Sequence, residues 1–364
     1  MPTYTCGQRS YEYGDRNDQI DPFFAKKREW SCVKDRVLGD YVVSYLRTIQ
    51  KLGRPIILVD SFSGPGMFGD GTAGSPVILC NAIQENAKGA VGIGCIFSDI
   101  HPAHRDALET NLQTYIASGI ALKPFANFTE SLTKALAVGK ARNATLFFYL
   151  DPYGVKDLEF ETVKQIYERN PQQSTEVLIN FNFKAFMRMS GNWNFKDSPD
   201  EISRKVKASK IERINSVMGG DYWIGIITDP NIDKLKREDL VVAAYMNMVR
   251  KYFDYTVSIP VKEMEDGDGK IPADELAKYH LIFGTRHPRA VRYMNDVALG
   301  ALEPYLNQFR EGLLFSFVPE RLQSASAEVV KDALVAAVAK QRMKRPELYE
   351  QVVPQFFLHY RTKE

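Results

Sequence analysis

Three aspartates stand where apolar runs end: Asp60 after residues 56–59, Asp99 after residues 92–98, and Asp151 after residues 144–150. Short, continuous apolar runs mark strands buried on both faces, and open α/β sheets meet their ligands at the carboxyl ends of such strands. A carboxylate in that position can hold a cationic amine, accept two hydroxyl donors, or orient an N–H or O–H for reaction. Around these aspartates lie other groups suited to a ligand. Gly64 and Gly66 follow Asp60 with Pro65 between them, and glycine lets bare backbone turn sharply or approach a bound molecule closely. Ser75 and Pro76 then read as the N-cap and first position of a helix through residues 77–84, which aims amide N–H groups back at the loop. Asn127-Phe128 follows a further short apolar run, and Asp151 opens Asp-Pro-Tyr-Gly with Pro152, Tyr153 and Gly154.

The glycine loop fits two patterns. Gly64-Pro-Gly66-Met-Phe-Gly69 satisfies the dinucleotide fingerprint G-x-G-x-x-G, but Gly69-Asp70-Gly71 continues the loop and no acid ends a strand about 20 residues on, as that fingerprint requires. The other pattern is an acid at the strand end, three residues, then Gly-x-Gly, as in S-adenosylmethionine (SAM) methyltransferases, and Asp60 with Gly64 and Gly66 fits it. A tight turn with no ligand is the remaining alternative. On the SAM reading, Asp60 takes the methionine amino group, directly or through water, and Phe62, Gly64 and Gly66 line the pocket. Asp99 accepts the ribose hydroxyls, Asn127 reads the adenine amino edge, and Phe128 stacks on the ring. Each has a plainer alternative: Asp60 and Asp99 as caps of nearby amides, Asn127 as a loop residue, Phe128 as core.

The elements that position these groups alternate. Helical spacing runs over residues 30–46, and strands are expected at 56–60, 92–98, 122–125, 144–150 and 176–181, with helices at 104–118, 130–137 and 160–169 between them. After residue 183 the rhythm breaks into a basic, aromatic stretch with helical patterning over 201–218. A helix follows at 239–252, then strands at 255–260 and 279–285 joined by a turn-forming Glu-Asp-Gly-Asp-Gly-Lys segment, and a closing helix at 288–302. The expectation is an α/β fold: a doubly wound, seven-stranded, mostly parallel sheet of the class I SAM-dependent methyltransferase type, with a helical insertion after the fifth strand. The expected divisions are an N-terminal surface arm or lid at 1–30, the α/β domain at 31–183 and 235–303, the insertion at 184–234, and a C-terminal extension at 304–364 with a helix near 325–340.

At 364 residues, 45% hydrophobic and 25% charged, the chain can bury a sizeable core. A net charge of +2 argues neither for nor against nucleic acid as a partner. No secretory pattern or membrane-length apolar run occurs, and the four cysteines are scattered, so a cytoplasmic, reduced protein off the membrane is expected. His101 and His104 lack further ligands at zinc-like spacing, so no metal is expected. In the insertion, Lys184, Arg188, Lys196, Arg204, Lys205, Lys207, Lys210 and Arg213 interleave with Phe186, Trp193 and Phe195. Cations neutralise phosphates and aromatics stack bases, so Lys184, Arg188, Trp193, Lys205, Lys207 and Lys210 are the candidate substrate contacts. A solvated helical face is the alternative.

Four motifs carry a family resemblance: Val-Asp60-Ser-Phe-Ser-Gly-Pro-Gly66 with Gly74-Ser75-Pro76; Leu150-Asp151-Pro152-Tyr153-Gly154; Val177-Leu-Ile-Asn-Phe181; and Leu281-Ile-Phe-Gly-Thr-Arg-His-Pro288, with Lys34 upstream. In order and spacing, over about residues 25–305, the chain resembles the three-Cys-motif partner proteins, a bacterial and phage family with a methyltransferase-like fold. The resemblance implies SAM as cofactor and a partner protein that carries the three-Cys motif. Asp-Pro-Tyr-Gly is also similar to the Asp-Pro-Pro-Tyr motif of enzymes that methylate exocyclic amines of bases, which makes Asp151, Pro152 and Tyr153 the catalytic candidates. Here Tyr153 replaces the second proline and Gly154 the aromatic, so a stacking ring would come from a different position. The expected function is SAM-dependent methyl transfer to a nucleic-acid base or nucleotide-like acceptor. The alternatives are a non-catalytic subunit that keeps the fold for assembly, and a methyltransferase for a small molecule or protein. His287, beside Arg286 and Pro288, is expected to cap the closing helix.

Overall fold

The computed structural model describes residues 19–87, 92–154, 157–190, 201–263, 276–308 and 325–362, with 201–207 and 307–308 described as backbone only. A short 3-10 turn, Pro22–Ala25, precedes α1 (Glu29–Ile49). There follow β1 (Ile56–Asp60), α2 (Ser75–Asn86), β2 (Ile93–Phe97), α3 (Pro102–Asn111), α4 (Gln113–Ala117), α5 (Phe128–Ala141), β3 (Thr145–Leu150), α6 (Phe160–Tyr167) and β4 (Thr175–Phe181). The chain continues through α7 (Phe183–Ser190), α8 (Glu201–Met218), α9 (Trp223–Thr228), α10 (Lys234–Val249), β5 (Tyr255–Lys262), β6 (Ala277–Thr285), α11 (Pro288–Gln308), α12 (Ala327–Lys340) and α13 (Arg345–Val352). No helix among the described residues is long and apolar enough to cross a membrane.

The sheet overturns one expectation. It is a six-stranded mixed sheet in the order β2-β1-β3-β4-β6-β5, not a seven-stranded doubly wound one. β1 pairs in parallel with β2 and β3, β3 with β4 likewise, and β6 runs antiparallel between β4 and β5. The missing strand is the one expected at 122–125. Residues 121–125 run beside β2 and the residue that follows it, with isolated bridges at Cys95 to Ala121 and Ser98 to Phe125 and hydrogen bonds from the Leu122 and Phe125 N–H groups to the Cys95 and Phe97 carbonyls, but no continuous ladder. The physical reason is local. Pro124 has no N–H to give to a ladder, and Leu122 and Lys123 face solvent, so the bonding is interrupted and side-chain burial does not favour an extended edge strand there. The turn expected at 265–270 lies outside the described residues, whereas the β5–β6 pairing it was to join is present.

Alternate residues of the central strands enter opposite cores, as the two-residue period of a strand requires. Ile56 and Leu58 join a cluster with Val37, Tyr41 and Leu46 of α1, Leu79 and Ile83 of α2 and Val291 of α11. Ile57 and Val59 join the other, with Leu132 of α5, Val163 of α6, Phe186 of α7, Trp223 of α9 and Val241 of α10. Helices therefore cover both faces, and the strand ends are the part of the sheet left for polar chemistry. The expected insertion is in part structural: Phe186 and Trp223 are fully buried and meet edge to face at 5.7 Å.

One buried carboxyl ties α1 to the sheet. Glu176 in β4 accepts hydrogen bonds from the hydroxyls of Tyr41 (2.6 Å) and Thr285 (3.1 Å). Burial pushes its carboxyl up to about 7, against the opposing pull of those two hydroxyls. A folded-state value above the unfolded one means that the folded protein holds a proton the unfolded chain has lost. The resulting stabilisation is complete below the ordinary glutamate range and disappears as pH rises through 7. Urea denaturation should show the protein losing on the order of 2 kcal/mol between pH 5.5 and 8 through this group. Glu176→Gln, which stays neutral, should remove that share of the slope; an unchanged pH slope would mean that Glu176 is ionised in the fold.

Candidate functional site

The strand register brings the sequence candidates to one edge of the sheet. Asp60 ends β1 opposite Phe97 of β2 and Tyr149 of β3, so Asp99 and Asp151 emerge two residues beyond those partners. Leu150 pairs with Ile179, which sets Asn180 of β4 beside Asp151. Parallel strands carry their carboxyl ends on the same side, and for this reason groups far apart in sequence converge.

Asp60 is fully buried. Its Oδ1 accepts from the Phe62 N–H at 3.2 Å and its Oδ2 from the Ser75 hydroxyl at 2.7 Å. Burial raises its carboxyl to about 7; the Ser75 and Phe62 donors pull the other way, the nearby Asp151 charge adds to the rise, and Lys34 subtracts from it. Ser75 thus differs from its expected role. Gly74 is the N-cap of α2 in extended backbone, and the Ser75 side chain turns to Asp60 instead of to the helix amides.

Gly64 and Gly66 both adopt left-handed backbone, with φ of 59° and 79°, which a side chain would strain. The Gly64 N–H donates to Asp99 Oδ2 at 2.9 Å. Asp99 Oδ1 accepts from the His101 N–H at 2.9 Å and faces His104 Nδ1 at 3.2 Å. His104 Nε2 accepts from the Asp21 N–H at 3.2 Å, so the ring proton sits on Nδ1 and points to Asp99. Asp99 thereby holds the glycine loop to the start of α3.

Asn127 is the N-cap of α5, a role that neither sequence reading gave it: it accepts from the Glu130 N–H at 3.0 Å and donates to the Glu130 carboxylate at 3.0 Å. Any use of Asn127 on an adenine edge would exchange that cap. Phe128 and Phe62 are half-buried, with ring centroids 5.4 Å apart at the mouth of the site.

Asp151 is the one of the three that pairs with a lysine. Its Oδ2 pairs with the Lys34 ammonium of α1 and accepts from the Tyr149 hydroxyl at 3.1 Å. Its Oδ1 accepts from Asn180 Nδ2 at 2.5 Å. Burial works against the charge on Lys34, but Asp151 and Asp35 outweigh it and hold the ammonium above its ordinary value. Lys27 pairs with Asp35 at 2.5 Å, which extends the alternation of charges. Pro152 is buried and Tyr153 is 41% exposed, with its ring edge-on to Phe23 at 5.6 Å.

The N-terminal segment is part of this site. Phe24 lies over the glycine loop: a Cβ added to Gly64 would come within 2.7 Å of its ring. Its carbonyl accepts from the Gly69 N–H at 2.7 Å, and its ring meets His104 edge-on at 5.0 Å. Residues 21–27 therefore bridge the glycine loop, the Asp99 helix and Tyr153. An arm or lid was expected there, but the aromatic pair Phe23-Phe24 shows no period that would assign it to the site.

Of the six substrate candidates, Lys184, Arg188 and Lys210 have described side chains. Lys184 pairs with Glu263 at 3.3 Å, a carboxylate that also takes Lys278 at 2.8 Å. Arg188 and Lys210 are exposed. Lys205 and Lys207 fall on α8 where the backbone alone is described, and Trp193 lies outside the described residues. Phe186 is core. His287 Nδ1 accepts from the Arg289 N–H at 3.2 Å in the first turn of α11, the expected cap.

Asn180 was quoted within a motif but given no role of its own. The signal was available: it is the single polar side chain within the run 177–181, all of it buried.

No family model matches the chain, and no curated protein does. Among solved structures, the chain is similar to the crystal structure of a Legionella pneumophila protein described by the family model DUF519, at 10% identity over 77% of this chain and 93% of that one, with a TM-score of 0.44.

Breaking a largely buried ion pair from one side leaves the other charge without its partner, at roughly 3–5 kcal/mol. Lys34→Met should therefore lower unfolding free energy by about that amount in chemical denaturation, and adding Asp151→Asn should restore part of it. Additive losses in the double variant would contradict a coupled pair.

Proposed function

We propose that the chain is a SAM-dependent methyltransferase that acts on a nucleic-acid base or a nucleotide-like acceptor. One observation carries the reading: Asp60, the left-handed Gly64 and Gly66, Asp99 and Asp151 converge at the carboxyl ends of three adjacent parallel strands. In this reading Asp60 holds the ligand's α-amino group, the glycine backbone packs on its methionine chain, and Asp99 takes the ribose hydroxyls. Asp151 orients the acceptor in line with the sulfonium methyl. The acceptor lone pair forms the new bond to carbon, the carbon–sulfur bond breaks with its electrons returning to sulfur, and the acceptor proton leaves to water. Orientation supplies much of the rate, because two bound reactants held in line react as one. The exposed Arg188 and Lys210 suit a phosphate backbone, and Tyr153 offers a partly exposed ring for a base. The free Cys32, Cys80 and Cys95 fit a reducing, cytoplasmic setting.

A second reading is favoured by the contact of Phe24 on Gly64, which occupies the face where a ligand would pack. On that reading the chain is a non-catalytic subunit whose fold serves assembly with another protein, as the resemblance to three-Cys-motif partners suggests.

Methyl transfer from labelled SAM to duplex DNA, single strands, RNA and lysate protein separates the two. Asp151→Asn keeps size and one acceptor but removes the charge; losing one charge-assisted hydrogen bond of ~3 kcal/mol should cut turnover about a hundredfold while SAM affinity stays within a few-fold. Unchanged turnover would remove Asp151 from the mechanism. Absence of transfer to any acceptor, alone or with a partner protein, would favour the subunit.

The raised Asp60 carboxyl gives an independent handle. A cationic amine prefers the carboxylate, so S-adenosylhomocysteine (SAH) should bind about tenfold tighter at pH 8 than at pH 6, releasing a proton as the group ionises near 7. Asp60→Asn should flatten that dependence in calorimetry; a flat profile for the parent protein would place the amino group elsewhere.

A further inference from the structure

One buried polar atom in the site has no hydrogen-bond partner among the described residues. Asn180 is 6% exposed, and among the described side chains its Oδ1 stands without a hydrogen-bond partner. The other end of the same amide is fixed, because Nδ2 donates to Asp151 Oδ1 at 2.5 Å. The orientation is decided by chemistry: only the NH2 end can donate to a carboxylate, so the carbonyl end is necessarily the unpartnered one. An unanswered buried acceptor is unfavourable for folding, and such atoms call for an explanation in function.

Asp151 offers a complementary opening. Its Oδ2 already takes Lys34 and Tyr149, whereas among the described residues its Oδ1 takes Asn180 alone. A carboxylate oxygen accepts two hydrogen bonds, so Oδ1 has one place left. The site therefore presents two acceptors side by side, Asp151 Oδ1 and Asn180 Oδ1, held together by the bond between the two side chains. A hydroxyl or thiol brings one hydrogen and would leave one acceptor empty. A primary amino group brings two. With both N–H bonds held in one plane, the nitrogen lone pair is directed out of that plane, toward a methyl donor.

Resting on the methyltransferase reading, we infer that Asn180 is a specificity-determining residue: its Oδ1 accepts the second N–H of a primary exocyclic amine whose first N–H is taken by Asp151. The substrate class is thereby an unmethylated amino group on a base. The product, with one N–H, satisfies only one of the two acceptors, so the reaction stops after a single methyl. The transfer forms the carbon–nitrogen bond and breaks carbon–sulfur, and the surplus proton leaves nitrogen for water. Asn180 Oδ1 is shut off from solvent in the free protein, so the substrate amine reaches it only by displacing the side chains that cover it.

The test uses the full chain and paired oligonucleotides that carry adenine or N6-methyladenine, and cytosine or N4-methylcytosine, at one position. The parent should favour the unmethylated base of at least one pair by a hundredfold or more in kcat/KM. Asn180→Ala should lower kcat on that base ten- to a hundredfold, leave SAH affinity within a few-fold, and collapse the preference over the methylated base to within about tenfold. A role confined to holding Asp151 would lower kcat on both substrates and leave their ratio intact, which would overturn the inference. Equal use of methylated and unmethylated bases by the parent would overturn it as well, whatever the variant does, and this result does not depend on the variant folding. Transfer by the parent to hydroxyl or protein acceptors only would overturn the inference while sparing methyl transfer as such. Transfer to no acceptor at all would overturn both.

Discussion

A carboxylate drawn out of water at the end of a buried strand must be answered by an opposite charge or by enough donors, and Asp151 is answered by Lys34. That requirement fixes more than one pair. Lys34 comes from α1, so the helix must lie across the sheet at the height of the strand ends. Tyr41, two turns further along the same helix, then reaches Glu176 in β4, and the two contacts together set the position of the helix along the sheet. Asp35 follows Lys34 and recruits Lys27, which also donates to the Ala73 carbonyl at 2.6 Å. The N-terminal segment is in this way drawn over the glycine loop. Ion pair, helix placement and cover over the loop are one arrangement.

The same arrangement explains why the carboxylates differ. Asp151 has a cation and two neutral donors. Asp60 has only a serine hydroxyl and one amide in a fully buried place, so it holds its proton up to about 7. Two acids at neighbouring strand ends are thus set apart by their partners.

Much of this was legible in the sequence because it rests on local rules. Apolar runs ending in aspartate located β1, β2 and β3 and their carboxyl ends, and glycine spacing located the left-handed turns at 64 and 66. Other features depend on what meets across the fold, which periodicity does not carry. Residues 122–125 have strand-like composition, but a proline and two solvent-facing side chains leave them with one isolated bridge and no strand. Ser75 has the composition of an N-cap, yet a buried carboxylate within 2.7 Å is a stronger acceptor for its hydroxyl than solvent, and Gly74 caps instead. Asn127 and Phe186, read from the sequence as a loop or adenine contact and as part of a basic, aromatic stretch, prove to be a helix cap and a core aromatic. Asn180 acquires its meaning only from the register that lays it against Asp151.

A crystal structure grown with SAH tests most directly whether the glycine loop and its three aspartates hold an adenosyl amino acid. The methyltransferase proposal predicts the ligand's amino group at Asp60, its ribose hydroxyls at Asp99, its sulfur facing Asp151, and the Phe24 ring moved from the face of Gly64 that it now covers. SAH bound elsewhere, or Phe24 unmoved and the loop without ligand at saturating SAH, would contradict it.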